Sequence, residues 1–216
     1  MDFAAARQQM VHQQVRAWDV LDPGVLDVLG YVPREQFVPA AFRELAFADG
    51  PIPLPGGQSM LAPKIHGRIL QALDVKPGES ALEIGTGSGY LAACLAALGA
   101  QVTSLECIPE LAQLAAENLR ASGHPGVALV TADATSWAAP RRFDAIALTA
   151  SLPVYDTRYQ EWLAIGGRLF VVVGSAEPMS AQVVTRTGEN EYLRVDLFET
   201  VVDPLLHARR PSRFVF

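Results

Sequence analysis

The segment that most constrains this chain is a run of three glycines at alternate positions between two apolar stretches. Gly85, Gly87 and Gly89 follow a short apolar stretch at 80–84, and a second apolar stretch begins at Tyr90. Glycine permits a positive φ and lets a ligand approach the backbone closely. In an open α/β sheet, ligands bind where such loops leave the carboxyl ends of the strands. The segment therefore predicts a strand, a ligand-binding loop and a helix, in that order.

The pattern on the C-terminal side of this loop predicts an α/β fold. Short apolar stretches alternate with helical patterns, which is typical of a doubly wound, mostly parallel sheet with helices on both faces. The last two strands are expected to be antiparallel and to close one edge of this Rossmann-like sheet. The predicted strands span 80–84, 101–106, 127–131, 143–149, 168–174, 182–186 and 192–198, and the predicted helices span 90–98, 109–122 and 155–163.

The first third of the chain predicts an N-terminal helical extension. Apolar residues recur at helical spacing over 3–18, and Asp22 followed by Pro23 is a helix start. Further helices are predicted at 40–46 and 64–73. Between them, residues 48–63 contain four prolines and three glycines and are too apolar for a free linker; a structured loop of this length is often functional. We expect one domain over 1–216, with the extension at 1–78 and the α/β core at 79–216.

The composition excludes several classes of partner. The 216 residues contain 17 Lys and Arg against 23 Asp and Glu, a net charge of −6. This charge argues against a nucleic-acid partner, which needs a basic face; the basic cluster Arg209, Arg210 and Arg213 is expected to be a solvated terminus. The longest apolar run, at 90–100, is shorter than the ~20 residues of a membrane span. No signal peptide is expected, and two cysteines without a zinc pattern predict no metal site and a reducing, cytoplasmic setting.

Two carboxylates beside the glycine loop indicate which ligand it holds. Glu106 ends the next predicted strand, where it is placed to accept hydrogen bonds from both hydroxyls of a ribose. The dinucleotide pattern G-x-G-x-x-G/A expects a small residue where this chain has Tyr90. Glu83, just before the loop, would repel a pyrophosphate but attract an ammonium or sulfonium group. The charge therefore favours S-adenosylmethionine over NAD, and a tight strand–helix turn without a ligand is the remaining alternative.

A third acidic residue follows the strand predicted at 127–131. The carboxylate of Asp133 is placed to accept a hydrogen bond from an adenine amino group. Aspartate after a strand is more often a simple turn former. In series with the first two strand ends, Asp133 becomes a candidate site residue.

With these residues the sequence resembles the class I S-adenosylmethionine-dependent methyltransferases. More narrowly, it resembles the protein-L-isoaspartate (D-aspartate) O-methyltransferase family, over nearly the whole chain. The glycine motif is specific only to the superfamily, whereas the first two of the following motifs are much more specific to the family. The matching segments are V-P-R-E-Q-F-V-P at 32–39, G-Q-S at 57–59, L-E-I-G-T-G-S-G-Y at 82–90, I-P-E-L at 108–111, F-D-A-I at 143–146 with Thr149 and Ala150, and G-G-R-L at 166–169.

The resemblance implies a protein-repair enzyme that methylates the abnormal carboxylate of isoaspartyl residues. Its methyl donor would be S-adenosyl-L-methionine, its product S-adenosyl-L-homocysteine, and its partner a peptide or protein. The residues that the family pattern places against the cofactor are Glu83, Gly85, Thr86, Gly87, Ser88, Gly89, Glu106, Cys107, Asp133 and Ala134.

The sequence departs from the family pattern in the loop expected to hold the acceptor. The family loop reads G-H-G-Q-T-I-S-x-P, whereas this chain has Gly56 for the His, Ser59 for the Thr and Leu61 for the Ser. Leucine cannot form the hydrogen bond of the family Ser, which is linked to substrate handling. The family's G-D-G after the third strand is also replaced, by A-D-A at 132–134. The cofactor half of the pattern is intact and the substrate half is altered.

The acceptor site is expected at this loop. We expect Ser59, as the catalytic position, and the backbone around Met60 and Leu61 to position the acceptor, with Thr149 and Ala150 on the far wall. A carboxylate acceptor is already ionised at pH 7, because its pKa is ~4. No general base is then required. His66, the histidine nearest the loop, is expected to be structural or solvent-facing.

Three other functions remain open from the sequence. The first is a methyltransferase of the same fold with a different acceptor, which the residue at position 61 motivates. The second is a protein that binds S-adenosylmethionine and transfers nothing. The third is an NAD-dependent oxidoreductase, which the glycine spacing disfavours. The oligomeric state does not follow from the sequence.

Overall fold

The computed structural model describes residues 2–211, so Arg213 of the basic cluster lies outside it. The chain forms six α-helices and nine strands within this range. The helices are α1 (Phe3–Met10), α2 (Pro23–Tyr31), α3 (Pro63–Leu73), α4 (Tyr90–Ala97), α5 (Pro109–Ala121) and α6 (Arg158–Glu161). The strands are β1 (Ile52–Pro53), β2 (Ser59–Met60), β3 (Ser80–Ile84), β4 (Gln101–Glu106), β5 (Ala128–Thr131), β6 (Phe143–Leu152), β7 (Leu163–Val173), β8 (Met179–Arg186) and β9 (Tyr192–Thr200).

Seven strands form the central sheet, in the order β5-β4-β3-β6-β7-β8-β9. The strands from β5 to β7 are parallel, and β8 and β9 continue the sheet in antiparallel pairs. The doubly wound, mostly parallel α/β sheet with an antiparallel edge is therefore confirmed. All five residues of β3 are buried, as expected of a central strand covered on both faces.

The central strands β3 and β6 present side chains of different size to the two faces of the sheet. Small residues (Ala81, Ala145 and Ala147) face the first core layer, which also contains apolar side chains from α1 to α5. Larger residues such as Leu82 and Ile146 face the second layer, with Tyr159 of α6. Small side chains let α3 and α4 lie close to the sheet, since the backbones can approach across them. Helices thus cover both faces of the sheet, with α1 to α5 on the first face and α6 on the second.

The helices predicted in the N-terminal extension are present, the one predicted at 40–46 as a 3-10 helix over Ala40–Leu45. α1 continues through a π-helical turn at Val11–Val15 and a 3-10 turn at Arg16–Trp18, so the helix predicted over 3–18 is present. The Asp22 carboxylate accepts the Val25 amide at 2.9 Å and caps α2. No helix among residues 2–211 is long and apolar enough to cross a membrane.

Two local predictions differ from the structure. The helix predicted at 155–163 is reduced to the single turn α6, because the Asp156 carboxylate accepts the Arg158 amide and Leu163 already pairs with β6. The loop at 48–63 contains an antiparallel hairpin of β1 and β2, closed by a Leu54 N–H to Gln58 carbonyl bond of 2.8 Å. Strands of two residues leave no periodic signal in a sequence.

Candidate active site

The glycine loop has the conformation that its sequence requires. Gly85, Gly87 and Gly89 have φ of +93°, +54° and +87°. A Cβ on Gly85 would overlap Oγ1 of Thr149, whose hydroxyl donates to the Gly85 carbonyl at 2.7 Å. The loop thus lies directly against β6, and its residues Gly85 and Gly87 line the cleft described below. Thr86 and Ser88, both predicted to contact the cofactor, are buried within the loop.

Glu106 fixes the glycine loop from the end of β4. Its Oε2 accepts the Gly87 amide at 2.9 Å, and its Oε1 accepts the Ile108 amide at 3.0 Å. Each carboxylate oxygen has two lone pairs, so one on each remains available to a ligand. Both oxygens are thereby oriented by backbone donors, which is the geometry needed to hold the two hydroxyls of a ribose.

Glu83 lies beneath the loop and is completely buried. Its Oε2 accepts a hydrogen bond from Ser104, whose hydroxyl lies 2.5 Å from that of Thr86. Within the described residues its Oε1 has no partner. Burial raises the pKa of Glu83 to about 8, with a further contribution from the nearby Glu106 carboxylate, while the hydrogen bond from Ser104 and the Ala92 backbone amide act in the opposite direction. A cation placed beside such a carboxyl group would stabilise its ionised form.

Glu83, which carries this unpartnered oxygen, lines a small cavity next to the glycine loop. This cavity, of about 40 Å³, is also lined by Met60, His66, Gly87 and Thr149. A buried carboxylate oxygen without a donor, beside glycines that leave the backbone uncovered, fits the cationic amino-acid end of S-adenosylmethionine. It does not fit a pyrophosphate.

A larger cleft brings most of the predicted site residues together. Ser59 and Leu61 line one side, and the glycine loop lines another. The predicted residues that share this cleft are Ser59, Leu61, Gly85, Gly87, Glu106, Cys107, Thr149 and Ala150. The cofactor and acceptor halves of the sequence pattern therefore meet at one place, at the carboxyl ends of β3, β4 and β6.

The structure adds residues that were not among the predicted site residues. Leu54, Gln58 and Leu111 line the cleft, and so do residues 203–206. The last segment is fixed to β6 because the Ser151 amide donates to the Asp203 carbonyl and the Leu205 amide donates to the Ser151 carbonyl, both at 2.8 Å. No motif marks residues 203–206; only the folded chain brings them to the cleft.

Asp133 and Ala134 do not line the cleft. Oδ1 of Asp133 accepts the amide and hydroxyl of Thr135, and Oδ2 lies 2.7 Å from Nδ1 of His207. Although partial burial raises the pKa of Asp133, these hydrogen bonds lower it below its usual value. Ala134 packs in the second core layer. A role of these two residues in holding the adenine stays a prediction.

The structure refines two predictions about the acceptor loop. The Met60 side chain is buried in the first core layer and reaches the small cavity rather than the cleft. The sequence left His66 as either structural or solvent-facing, and its burial agrees with the structural alternative. Burial and the adjacent Arg34 guanidinium lower the pKa of His66 well below its usual range, so its ring is neutral. Among residues 2–211 no group of three or more His, Cys, Asp or Glu is placed to hold a metal ion.

A sheet of this strand order with a glycine loop and a carboxylate at successive strand ends is shared by several nucleotide-binding folds. The buried Glu83 oxygen, which suits a cationic group and not a pyrophosphate, places this site among the class I S-adenosylmethionine-dependent methyltransferases. The model of the family "Protein-L-isoaspartate(D-aspartate) O-methyltransferase" matches residues 5–207. The chain belongs to this family.

Relatives and solved structures agree with this membership. The chain is 38% identical over 207 residues to protein-L-isoaspartate O-methyltransferase 2 of Marinobacter nauticus, with 95% of this chain and 94% of the relative covered. It is also 38% identical to the enzyme of Koribacter versatilis, with 85% and 83% covered. A Plasmodium falciparum structure assigned to the same family, in complex with S-adenosyl-L-homocysteine, has a TM-score of 0.80 at 20% identity and covers 92% of this chain and 97% of that one. This last likeness shows the fold.

Proposed function

We propose that this chain transfers the methyl group of S-adenosyl-L-methionine to the free carboxylate of an isoaspartyl residue in a peptide or protein, with S-adenosyl-L-homocysteine as product. The observation that carries the proposal is the shared cleft, where the acceptor-loop residue Ser59 faces the loop of Gly85 and Gly87. Family membership supports the substrate class. A cytoplasmic setting and the absence of a nucleic-acid partner stay predictions.

The residues supply alignment rather than acid–base chemistry. The cofactor contributes a methyl group on a cationic sulfur, which is already activated for in-line displacement. Glu106 offers its free lone pairs to the ribose, and Glu83 offers Oε1 to the cationic end. The acceptor carboxylate is ionised at neutral pH, so no residue has to remove a proton. Holding two reactants in line is sufficient to account for large rate effects.

Ser59 is the side chain best placed to orient the acceptor. It is exposed at the cleft, whereas the hydroxyl of Thr149 is engaged by the carbonyls of Ile84 and Gly85. Leu61, two residues further along the loop, presents an apolar side chain at the same cleft. A hydroxyl that donates to one carboxylate oxygen leaves the other free to attack the methyl group.

The proposal is tested with labelled S-adenosylmethionine and two peptides that differ only in one isoaspartyl or aspartyl linkage. Transfer to the isoaspartyl peptide alone is the expected result. Transfer to the aspartyl peptide, or to neither peptide by a protein that binds the cofactor, would overturn it. The apolar Leu61 favours a different acceptor as the second candidate, and transfer to another carboxylate would support that one.

We expect Ser59→Ala to lower turnover on the isoaspartyl peptide by about 10- to 100-fold, because a hydrogen bond to a charged group is lost. Cofactor affinity, measured by calorimetry, should not change, since the glycine loop is intact. Ser175→Ala removes an exposed hydroxyl that does not line the cleft and serves as the control. Wild-type turnover in Ser59→Ala would remove this residue from the acceptor site.

We expect Leu61→Ser to raise kcat/KM for the isoaspartyl peptide by about 3- to 10-fold, because it adds a second donor at the acceptor side of the cleft. The side chain is only partly buried, so the change leaves a small cavity at most. Steady-state kinetics of the single variant and of the double variant with Ser59→Ala measure the effect. A variant with no gain on this peptide would favour the different-acceptor candidate.

A further inference from the structure

Arg34 is a completely buried arginine that the proposed reaction does not use. It lies in the 3-10 turn Arg34–Gln36, within the V-P-R-E-Q-F-V-P segment. None of the ion pairs formed by the described residues includes it. A buried charge is costly unless its donors are satisfied. The hydrogen-bond partners of Arg34 therefore indicate the role of this buried charge.

Two of these partners are carbonyls on either side of the acceptor-loop hairpin. Nε donates to the Ala46 carbonyl and Nη2 donates to the Leu61 carbonyl, both at 2.7 Å. Between these carbonyls the chain forms β1 and β2 and presents Ser59 to the cleft. One planar guanidinium thus fixes both ends of the segment that positions the acceptor.

The other partners connect the same guanidinium to the helices beside the cofactor loop. Nη1 lies 3.2 Å from Nδ1 of His66 in α3, and the same Nδ1 also lies 3.2 Å from the Ala62 carbonyl, so the tautomer of the ring decides which of these two contacts is a hydrogen bond. Cζ lies 4.9 Å from the centroid of the Tyr90 ring. Tyr90 is the first residue of α4, directly after the glycine loop. Arg34 therefore contacts both halves of the active site without lining the cleft itself.

We propose that Arg34 is a positioning residue that fixes the acceptor loop relative to the glycine loop. The inference rests on the proposed function, in that the segment it fixes carries Ser59. Without the guanidinium the two carbonyls lose their common donor, and the hairpin moves relative to α4. A displacement of about 1 Å at a reacting group lowers the rate by about 100-fold. The hydrogen bond from Gly87 to Glu106, at the predicted cofactor site, does not involve Arg34 and should stay intact.

The chain offers a matched control in Arg186. This arginine is also buried, donates to the carbonyls of Leu163, Gly188 and Glu189, and lies over the ring of Tyr192. It fixes the turn between β8 and β9, outside the residues that line the cleft. Replacing it removes a similar set of hydrogen bonds at a site without acceptor contacts.

The experiment compares Arg34→Met, Arg34→Lys and Arg186→Met. For Arg34→Met we expect kcat to fall by about 100-fold with an unchanged cofactor dissociation constant. Lysine can reach only one of the two carbonyls, so Arg34→Lys should fall between this variant and the wild type. Arg186→Met should lose a similar amount of thermal stability but keep its kcat. Equal kcat in the two methionine variants, or a parallel loss of turnover and cofactor affinity in Arg34→Met, would overturn the inference.

Hydrogen exchange keeps this inference separate from the proposed function. The Leu54 amide, bonded to Gln58 within the hairpin, should lose protection in Arg34→Met and not in Arg186→Met. If the wild type methylates no isoaspartyl peptide, the proposed function fails while this readout still decides the role of Arg34. Unchanged protection of the hairpin in Arg34→Met would show that the guanidinium does not fix the loop.

Discussion

Gly87→Val is expected to weaken S-adenosylmethionine binding by at least about 100-fold, equivalent to about 2.7 kcal/mol. Gly87 lines the cleft, and its amide donates to Glu106. Its φ of +54° disfavours a β-branched residue, and a Cβ there would lie 3.3 Å from Leu54 Cδ1. The valine therefore both fills space beside the ligand and shifts the amide that orients Glu106. Isothermal calorimetry with the cofactor measures the effect.

Gly123→Val is the control for Gly87→Val. It introduces the same backbone strain, a valine at positive φ, at a position away from the cofactor site. Gly123 has φ of +84° in the turn after α5, and a Cβ there meets no atom within 4 Å. Both variants should lose about 1–3 kcal/mol of stability from backbone strain, but only Gly87→Val should lose the cofactor. Wild-type cofactor affinity in Gly87→Val would remove the glycine loop from the cofactor site.

The sequence predicts the parallel part of the fold because its elements have clear boundaries. β3 and β4 begin and end at the predicted residues, since a glycine-containing turn precedes each strand and a loop follows it. The bounds predicted for the helix at 155–163 are wrong, because the helical pattern of these residues competes with the pairing of residue 163 in the sheet. Phe143 donates to the Trp162 carbonyl at 2.8 Å, and that tertiary bond draws residue 163 into β7.

The sequence predicts only those residues of the candidate site that belong to a recognisable motif. Gly85, Gly87 and Glu106 follow strands, and parallel strands bring their carboxyl ends to one edge. Residues 203–206 reach the cleft only because Ser151 binds their backbone, and no residue type in that segment indicates it. The role of Arg34 is equally invisible in sequence, because its partners are backbone carbonyls at positions 46 and 61.

Burial raises the pKa of the Glu83 carboxyl from 4.5 to about 8 when the chain folds. The free energy of unfolding therefore depends on pH, by an amount on the order of 5 kcal/mol at most. Glu83→Gln is expected to remove this dependence. Below pH 4.5 the group is protonated in both the folded and unfolded protein. Between these values the folded protein holds a proton that the unfolded chain has released. The free energy of unfolding of the wild type therefore falls as the pH rises from 4.5 to 8. Glutamine resembles the protonated form and has no such fall.

The measurement is the difference in unfolding free energy between wild type and Glu83→Gln from urea titrations at several pH values. Taking the difference cancels the contribution of every group that behaves identically in the two proteins. Glu117→Gln, which replaces an exposed carboxylate on α5, should leave the curve of the wild type unchanged. A difference that is flat between pH 5 and about 8 would show that Glu83 is ionised in the folded protein.

The same carboxylate links stability to the cofactor. A cationic group beside Oε1 favours the ionised form of Glu83 and lowers its pKa, so binding at neutral pH releases a proton. Cofactor affinity of the wild type should then rise with pH from 6 to about 8, while that of Glu83→Gln should be weaker and less dependent on pH. Calorimetry in buffers of different ionisation enthalpy counts the released proton directly. If no proton is released, the unpartnered oxygen does not face the cationic end of the cofactor, and Glu83 has a purely structural role beneath the glycine loop.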